Sequence, residues 1–393
     1  MFERVFSMSE DKRKDIIDNL LLFSMFVMEV VFLYSASSVA MIICAILGSI
    51  TLFYAWKNKG FLLLFMTCIA IGVVTLVTIN RIFVLNCSWR GCLRIVFVSL
   101  PIAYLLYTVN INWRVAISFF YIVFIFTVIN IILADPAELY RIFAASSRNY
   151  ISVLLIACVY PYYLACDRDC REVSIFPALL LFLVSLYVQS RGGIITSGIL
   201  FILTFIRRIY LVKEQEWFKR YKKIICFIFF LILLLGMAFL ILNATKVLSR
   251  FFEAEEYSIT REDMWKEYLT VTGSSVRNII LGPPLATCPL IQEEADNIHN
   301  SYFMVHSYMG IVGFLTVIVG GIGYLVLCVK EKEYSLLFLA ITFLVRAMTD
   351  YLFPMLFCDC IILFMIIKVV MEIKRVVYDE EKPKNLNNSN SCI

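Results

Sequence analysis

The sequence predicts an all-α fold, a polytopic integral membrane bundle of about 12 transmembrane helices. Three observations lead there. Hydrophobic residues make up 61% of the 393 positions and charged residues only 17%. The apolar residues come in runs of about 17–23 residues, the length a helix needs to cross a bilayer, rather than in amphipathic stripes. One polar stretch, 244–300, interrupts them and ends in Asn297-Ile298-His299-Asn300-Ser301-Tyr302, just before a new apolar run. Backbone groups in lipid must be bonded within their own segment, so runs this long form helices, not barrel strands.

The expected spans are 18–34, 38–56, 61–79, 92–109, 113–133, 150–166, 173–189, 192–209, 224–243, 301–329, 335–352 and 354–373. Residues 1–243 thus carry nine membrane helices, 244–300 a large extracytoplasmic loop containing short helices, and 301–373 the last three. Residues 374–393 read as a disordered tail, with Asp379-Glu380-Glu381, Pro383 and an Asn/Ser-rich end. Lys12, Arg13 and Lys14 precede the first apolar run, but no small-residue cleavage site follows Leu20 to Tyr34. That run is therefore expected to stay as an uncleaved span.

Twelve spans put both termini on one side. Placing that side in the cytoplasm gives the inner segments Lys57 and Lys59, Arg168 and Arg171, and the dense cluster Arg207, Arg208, Lys213, Lys219, Arg220, Lys222 and Lys223, which is the bias expected of cytoplasmic loops. The net charge of +5 resides largely in that cluster and suits anionic lipid. No nucleic-acid-binding pattern and no Gly-rich phosphate loop is visible. The same orientation sends Gln189-Ser190-Arg191-Gly192-Gly193 and the loop 244–300 together to the outer face.

Most of the thirteen cysteines sit inside apolar runs, where each behaves as a small apolar side chain. Cys166 and Cys170, and Cys358 and Cys360, lack a second pair or histidines at ligand spacing, so no metal site is expected. Cys87 and Cys92 fall in a short outer loop where a disulfide is open.

Candidate chemistry concentrates at the outer face. Arg191 precedes two glycines at the start of a span, where exposed amides and a guanidinium suit an oxyanion; snorkelling to headgroups is the competing reading. Arg261 opens a loop helix with Ser258 or Thr260 as cap, followed by Glu262, Asp263, Trp265 and Tyr268, which suits a helix lying on the membrane surface. Its alternative is a surface salt bridge with those acids. His299, one of two histidines, stands where the loop re-enters the membrane and could serve as a general base or orient an acceptor. His306, two turns deeper, reads as a packing or hydrogen-bonding residue within the bundle. Arg346 and Asp350, spaced i, i+4 within a span, read first as a structural ion pair.

Taken together, Ser190-Arg191-Gly192, Arg261-x-x-x-Trp265, Leu281-Gly282-Pro283, and His299-Asn300-Ser301-Tyr302 followed by Gly310-Ile311-Val312-Gly313 resemble the O-antigen ligase and O-antigen polymerase superfamily. The resemblance covers roughly residues 175–330 in order and spacing; the first 170 residues share only hydrophobicity with it. It departs where relatives carry a glutamine and an acid after the His-Asn-Ser-Tyr start, since Met304 and Tyr308 stand there, and where Pro283-Pro284 replaces part of a glycine-rich turn.

The resemblance implies an inverting glycosyltransferase of the bacterial inner membrane that needs no metal or other cofactor and uses an undecaprenyl-diphosphate-linked glycan as donor. By motif position, Arg191 and Arg261 would hold the diphosphate and His299 would engage the acceptor hydroxyl, with Asn300 and Tyr302 in support; Arg346, beyond the matched stretch, is a further supporting candidate. The partners implied are that donor, a glycan acceptor, membrane lipid and, for some members, a chain-length regulator. Polymerisation of lipid-linked repeat units into O-antigen, capsule or a similar polysaccharide is the leading expectation. Transfer of the glycan to a lipid A core is the near alternative, and a flippase or transporter for lipid-linked sugars is the alternative from another class.

Overall fold

In the computed structural model, residues 10–57, 60–134, 142–144, 147–213, 261–293 and 296–380 are described, with isolated positions between 215 and 234. The expected span 224–243 is described only at isolated positions up to 234, and the helix cap at Ser258 or Thr260 lies outside the described residues. Of the expected disordered tail 374–393, residues 374–380 instead continue the last helix, and the rest lie outside the described residues. Among the described residues every regular element is helical, and eight helices are long and apolar enough to cross a membrane. Seven of these come before the loop: α1 (Glu10–Ser35), α2 (Ser38–Lys57), α3 (Phe61–Phe83), α4 (Trp89–Thr108), α5 (Trp113–Leu133), α6 (Tyr150–Arg168) and α8 (Arg191–Val212), with the shorter α7 (Phe176–Tyr187) between the last two. The loop forms α9 (Arg261–Gly273), α10 (Val276–Leu281) and α11 (Pro289–Glu293). The eighth long helix, α12 (Ser301–Lys330), follows, then the shorter α13 (Tyr334–Thr349) and the more charged α14 (Asp359–Glu380).

Burial sorts these helices into inner and outer members. On α2 the side chains of Val39, Ile42, Ile46, Ile50 and Phe53 recur every three or four residues and are all exposed, a stripe that water would reject and lipid accepts. In α6 the residues from Tyr150 to Cys166 are buried. This helix forms the axis of the bundle, packed by α5, α7, α8 and α13. Its polar tips find partners inside, with the Tyr160 hydroxyl 3.1 Å from that of Tyr324 on α12.

Two departures from the expected spans have local causes, and a third difference concerns buried charge. The 301–329 run is broken at Gly310, whose φ of 65° and ψ of −166° leave the helix. The carbonyls this break frees are taken up from elsewhere: Asn80 and Asn86 donate to the Ser307 carbonyl at 2.7 and 3.0 Å, and the Cys87 thiol donates to that of Tyr308 at 3.2 Å. Cys87 and Cys92 are both free, so no disulfide closes that turn. Second, α13 ends at Thr349 and Asp350 is extended, which places this acid beyond the helix rather than within a span. Residues 351–358 then run as buried non-helical chain before α14, a course tolerated at membrane depth only where protein surrounds it. Third, Arg346 and Asp350 are not alone among buried ionisable groups. Glu29 on α1 forms an ion pair with Arg94 on α4, within electrostatic reach of Asp359 at the start of α14. A charge within each of two apolar runs was the signal available for Glu29 and Arg94.

Candidate active site

The loop helices build a small core of their own from Met264, Tyr268, Leu285, Cys288, Ile291, Ile298 and Met304. Trp265 donates its indole N–H to the Ile298 carbonyl at 2.9 Å, which fixes the chain one residue before His299. Burial pushes the Tyr268 phenol well above its usual range. It therefore stays protonated and donates to His306 Nδ1 at 2.7 Å, while His306 Nε2 faces the Ile279 carbonyl at 2.8 Å. His306 thus ties α9, α10 and α12 together, the packing role expected of it. The close approach of α10 to α12 depends on two glycines with positive φ, Gly282 and Gly310. A Cβ on either would overlap backbone of the facing segment.

The loop core sets down its polar residues on the C-terminal end of α13. The last carbonyls of a helix lack intrahelical partners and carry partial negative charge. Here the Met348 carbonyl accepts from Asn300 Nδ2 at 3.1 Å, the Thr349 carbonyl from Arg261 Nη1, and the Asp350 carbonyl from Ser301 Oγ at 2.7 Å. Arg261 therefore caps another helix instead of pairing with the acids beside it; Glu262 pairs with Lys266 at 2.8 Å. Asn300 also accepts from the Tyr302 and Phe303 amides, capping α12, and the Tyr302 hydroxyl donates to the Leu344 carbonyl at 3.0 Å.

Asp350 lies at the centre of this arrangement, 3% exposed. Its Oδ2 accepts from Arg346 Nη2 at 2.9 Å, and its Oδ1 stands 3.5 Å from His299 Nδ1. Burial opposes ionisation of this carboxyl, but the His299 contact and the charges of Arg346 and Arg261 outweigh it and hold it down to about 2. Arg346 is 1% exposed. Its guanidinium also donates to the Asn149 carbonyl at 3.1 Å and to Thr349 Oγ1 at 3.3 Å, and it lies so close to Gly192 that a Cβ there would overlap Nη1.

Gly192 follows Arg191 at the start of α8, where Ser190 caps the helix by accepting from the Gly193 amide at 3.3 Å. Of the residues singled out by sequence, Arg261, His299, Asn300 and Arg346 therefore meet around residues 348–350. Tyr302 turns to the preceding turn of α13. Arg191 stands one residue from the Arg346 contact, and its side chain is exposed. Asp350 emerges as the group they share; the sequence paired it with Arg346 alone, because nothing in the spacing shows His299 arriving from 51 residues away in the chain. Chemically, the cluster offers a guanidinium at a helix end and an imidazole beside a carboxylate, next to the start of α8 that carries Arg191. These are groups for binding an anion and moving a proton. Among the described residues no group of three or more His, Cys, Asp or Glu side chains gathers in a form that could hold a metal.

Comparison with known proteins finds no matching family model, no matching curated protein and no matching solved structure.

Proposed function

We propose that the protein is a polysaccharide polymerase that joins undecaprenyl-diphosphate-linked repeat units at the outer face of a bacterial inner membrane by inverting glycosyl transfer. The observation that carries this reading is the convergence of Arg261 and His299 on residues 349–350, beside the Arg191-Gly192 start of α8. These residues come from separate parts of the chain and supply what the reaction needs.

In that reaction an acceptor hydroxyl oxygen attacks the anomeric carbon from the face opposite the leaving group. The C–O bond to the diphosphate breaks and its electron pair goes to the phosphate oxygen, while the hydroxyl proton passes to His299 Nε2. Positive charge grows on the sugar and negative charge on the departing diphosphate. Guanidinium forks at Arg191 and Arg261 would stabilise that negative charge most as it separates, and such differential stabilisation is what lowers the barrier. The diphosphate is already an activated leaving group, so the step needs no nucleotide pocket.

A lipid A core ligase would use the same donor chemistry, and the acceptor distinguishes the two. The buried Glu29 and Asp359 carboxyls, with Arg94 paired to Glu29, favour a second reading, a transporter for lipid-linked sugars, because ionisable residues within spans commonly line a translocation path. Purified protein in vesicles with a radiolabelled lipid-linked repeat unit separates all three. Growth of the glycan on its polyprenyl carrier supports the polymerase, transfer to added core lipid supports the ligase, and movement across the bilayer without a new glycosidic bond supports the transporter.

A further inference from the structure

We propose that Asp350 is a positioning residue for His299, and that Arg346 is the strut that fixes Asp350. This rests on the glycosyl-transfer reading above and adds to it a carboxylate, imidazole and hydroxyl series.

The geometry is over-determined on both sides. Asp350 cannot turn freely, because Oδ2 is held by Arg346 at 2.9 Å and Oδ1 accepts from the Tyr351 amide at 2.9 Å. Arg346 in turn is pinned by Asn149, Thr349 and the close approach of Gly192. On the other side, His299 has a left-handed backbone with φ of 52°, a conformation that costs a non-glycine residue energy and persists only where its surroundings impose it. Asn297 imposes it by accepting from the His299 amide at 2.8 Å, and Trp265 holds the preceding carbonyl. The result turns Nδ1 inward, toward Asp350 Oδ1. The side chain retains 20% exposure.

Nδ1–H facing a carboxylate fixes the tautomer in which Nε2 carries the lone pair, and the imidazolium formed on proton uptake is stabilised by the adjacent anion. The 3.5 Å separation is long for such a contact, as is common before substrate closes a site. Arg346 is too deeply buried to reach a substrate, and its effect passes through Asp350.

Asp350→Asn keeps the shape and removes the charge. It is expected to lower kcat for glycosyl transfer by about 100-fold or more while the donor KM stays within about threefold, and Asp350→Glu is expected to recover part of the loss. Arg346→Gln combined with Asp350→Asn removes both buried charges, so it guards against misfolding of the single variant; it is expected to fold and to remain slow. A second reading comes from carbethoxylation with diethyl pyrocarbonate at pH 8.5, resolved by mass spectrometry. The chain has two histidines; His306, with both ring nitrogens engaged, is expected to stay unmodified, and N-acetylhistidine added to the same reaction serves as the rate reference. His299 is expected to react about threefold more slowly in Asp350→Asn, because the amide no longer holds the tautomer in which Nε2 carries the lone pair. Wild-type turnover in Asp350→Asn, or recovery of kcat by the neutral pair, overturns the proposal. A wild-type protein that forms no glycosidic bond counts against the functional reading itself. In that case the carbethoxylation rate alone decides the positioning, an unchanged rate at His299 refuting it.

Discussion

Gly310 rests against the carbonyl oxygen of Ile280 so closely that no side chain could stand between them. Its dihedrals lie in a region open essentially to glycine. Gly310→Ala therefore combines backbone strain with overlap, at about 1–3 kcal/mol for each effect. The unfolding midpoint in detergent is expected to fall by roughly 5–15 °C. Gly72→Ala is the control, since a Cβ there meets nothing within 4 Å, and it is expected to leave the midpoint unchanged or raised.

Asn86 is the second tie between the loop and the bundle. Its Nδ2 reaches the Pro283 carbonyl at 2.8 Å and both oxygens of Ser307, and its Oδ1 accepts from the Leu285 amide at 2.9 Å. Asn86→Ala leaves these groups short of partners, at about 1–3 kcal/mol for each buried one. Limited proteolysis is expected to cut within 276–293 several times faster than in the wild type. Asp at this position restores the acceptor but sets an anion against carbonyl oxygens, so it is expected not to rescue. Equal cleavage rates in all three proteins would show that Asn86 does not anchor the loop.

The helical membrane fold was legible because apolar run length is a one-dimensional signal, and the spans at 38–56 and 113–133 correspond closely to α2 and α5. Helix ends were less so. Residues 351–358 read from their apolar character as the end of one span at 352 and the start of the next at 354; their non-helical course depends on burial by neighbours that no local pattern announces. The candidate site divides in the same way. His299 and Arg261 stand out in sequence as titratable or cationic residues in an outer loop. Asp350 acquires its place only when the end of α13 is brought beneath that loop, a long-range contact.

Gly192 supplies a test of the Arg346 strut that leaves every charged group intact. A Cβ at this position overlaps Arg346 Nη1, so Gly192→Ala must displace the guanidinium or α8. The variant is expected to insert in the membrane normally and to lose glycosyl transfer by about 10-fold or more, as small misplacements of a reacting group do. Gly198→Ala, facing only the Phe182 ring at 3.4 Å on the same helix, is expected to keep activity. Loss of activity to the same extent in both would assign the effect to α8 as a whole.

Arg191→Ala, Arg261→Ala and His299→Ala separate the roles within the cluster. All three are expected to insert and to abolish chain extension, since each removes a group proposed to touch the diphosphate or the acceptor. Near-normal polymer length in all three would defeat the assignment. The lysine variants at Arg191 and Arg261 are more informative, because an ammonium keeps the charge but not the planar fork that grips two phosphate oxygens. At Arg261 the loss is compounded, for the same guanidinium also caps the Thr349 carbonyl and a single ammonium is asked to serve both. Arg261→Lys is therefore expected to raise the donor KM and lower kcat together, whereas Arg191→Lys, which has an exposed side chain, is expected to recover the larger share of activity. Full rescue at both positions in a steady-state assay would mean that bulk positive charge, and not bidentate recognition, holds the donor.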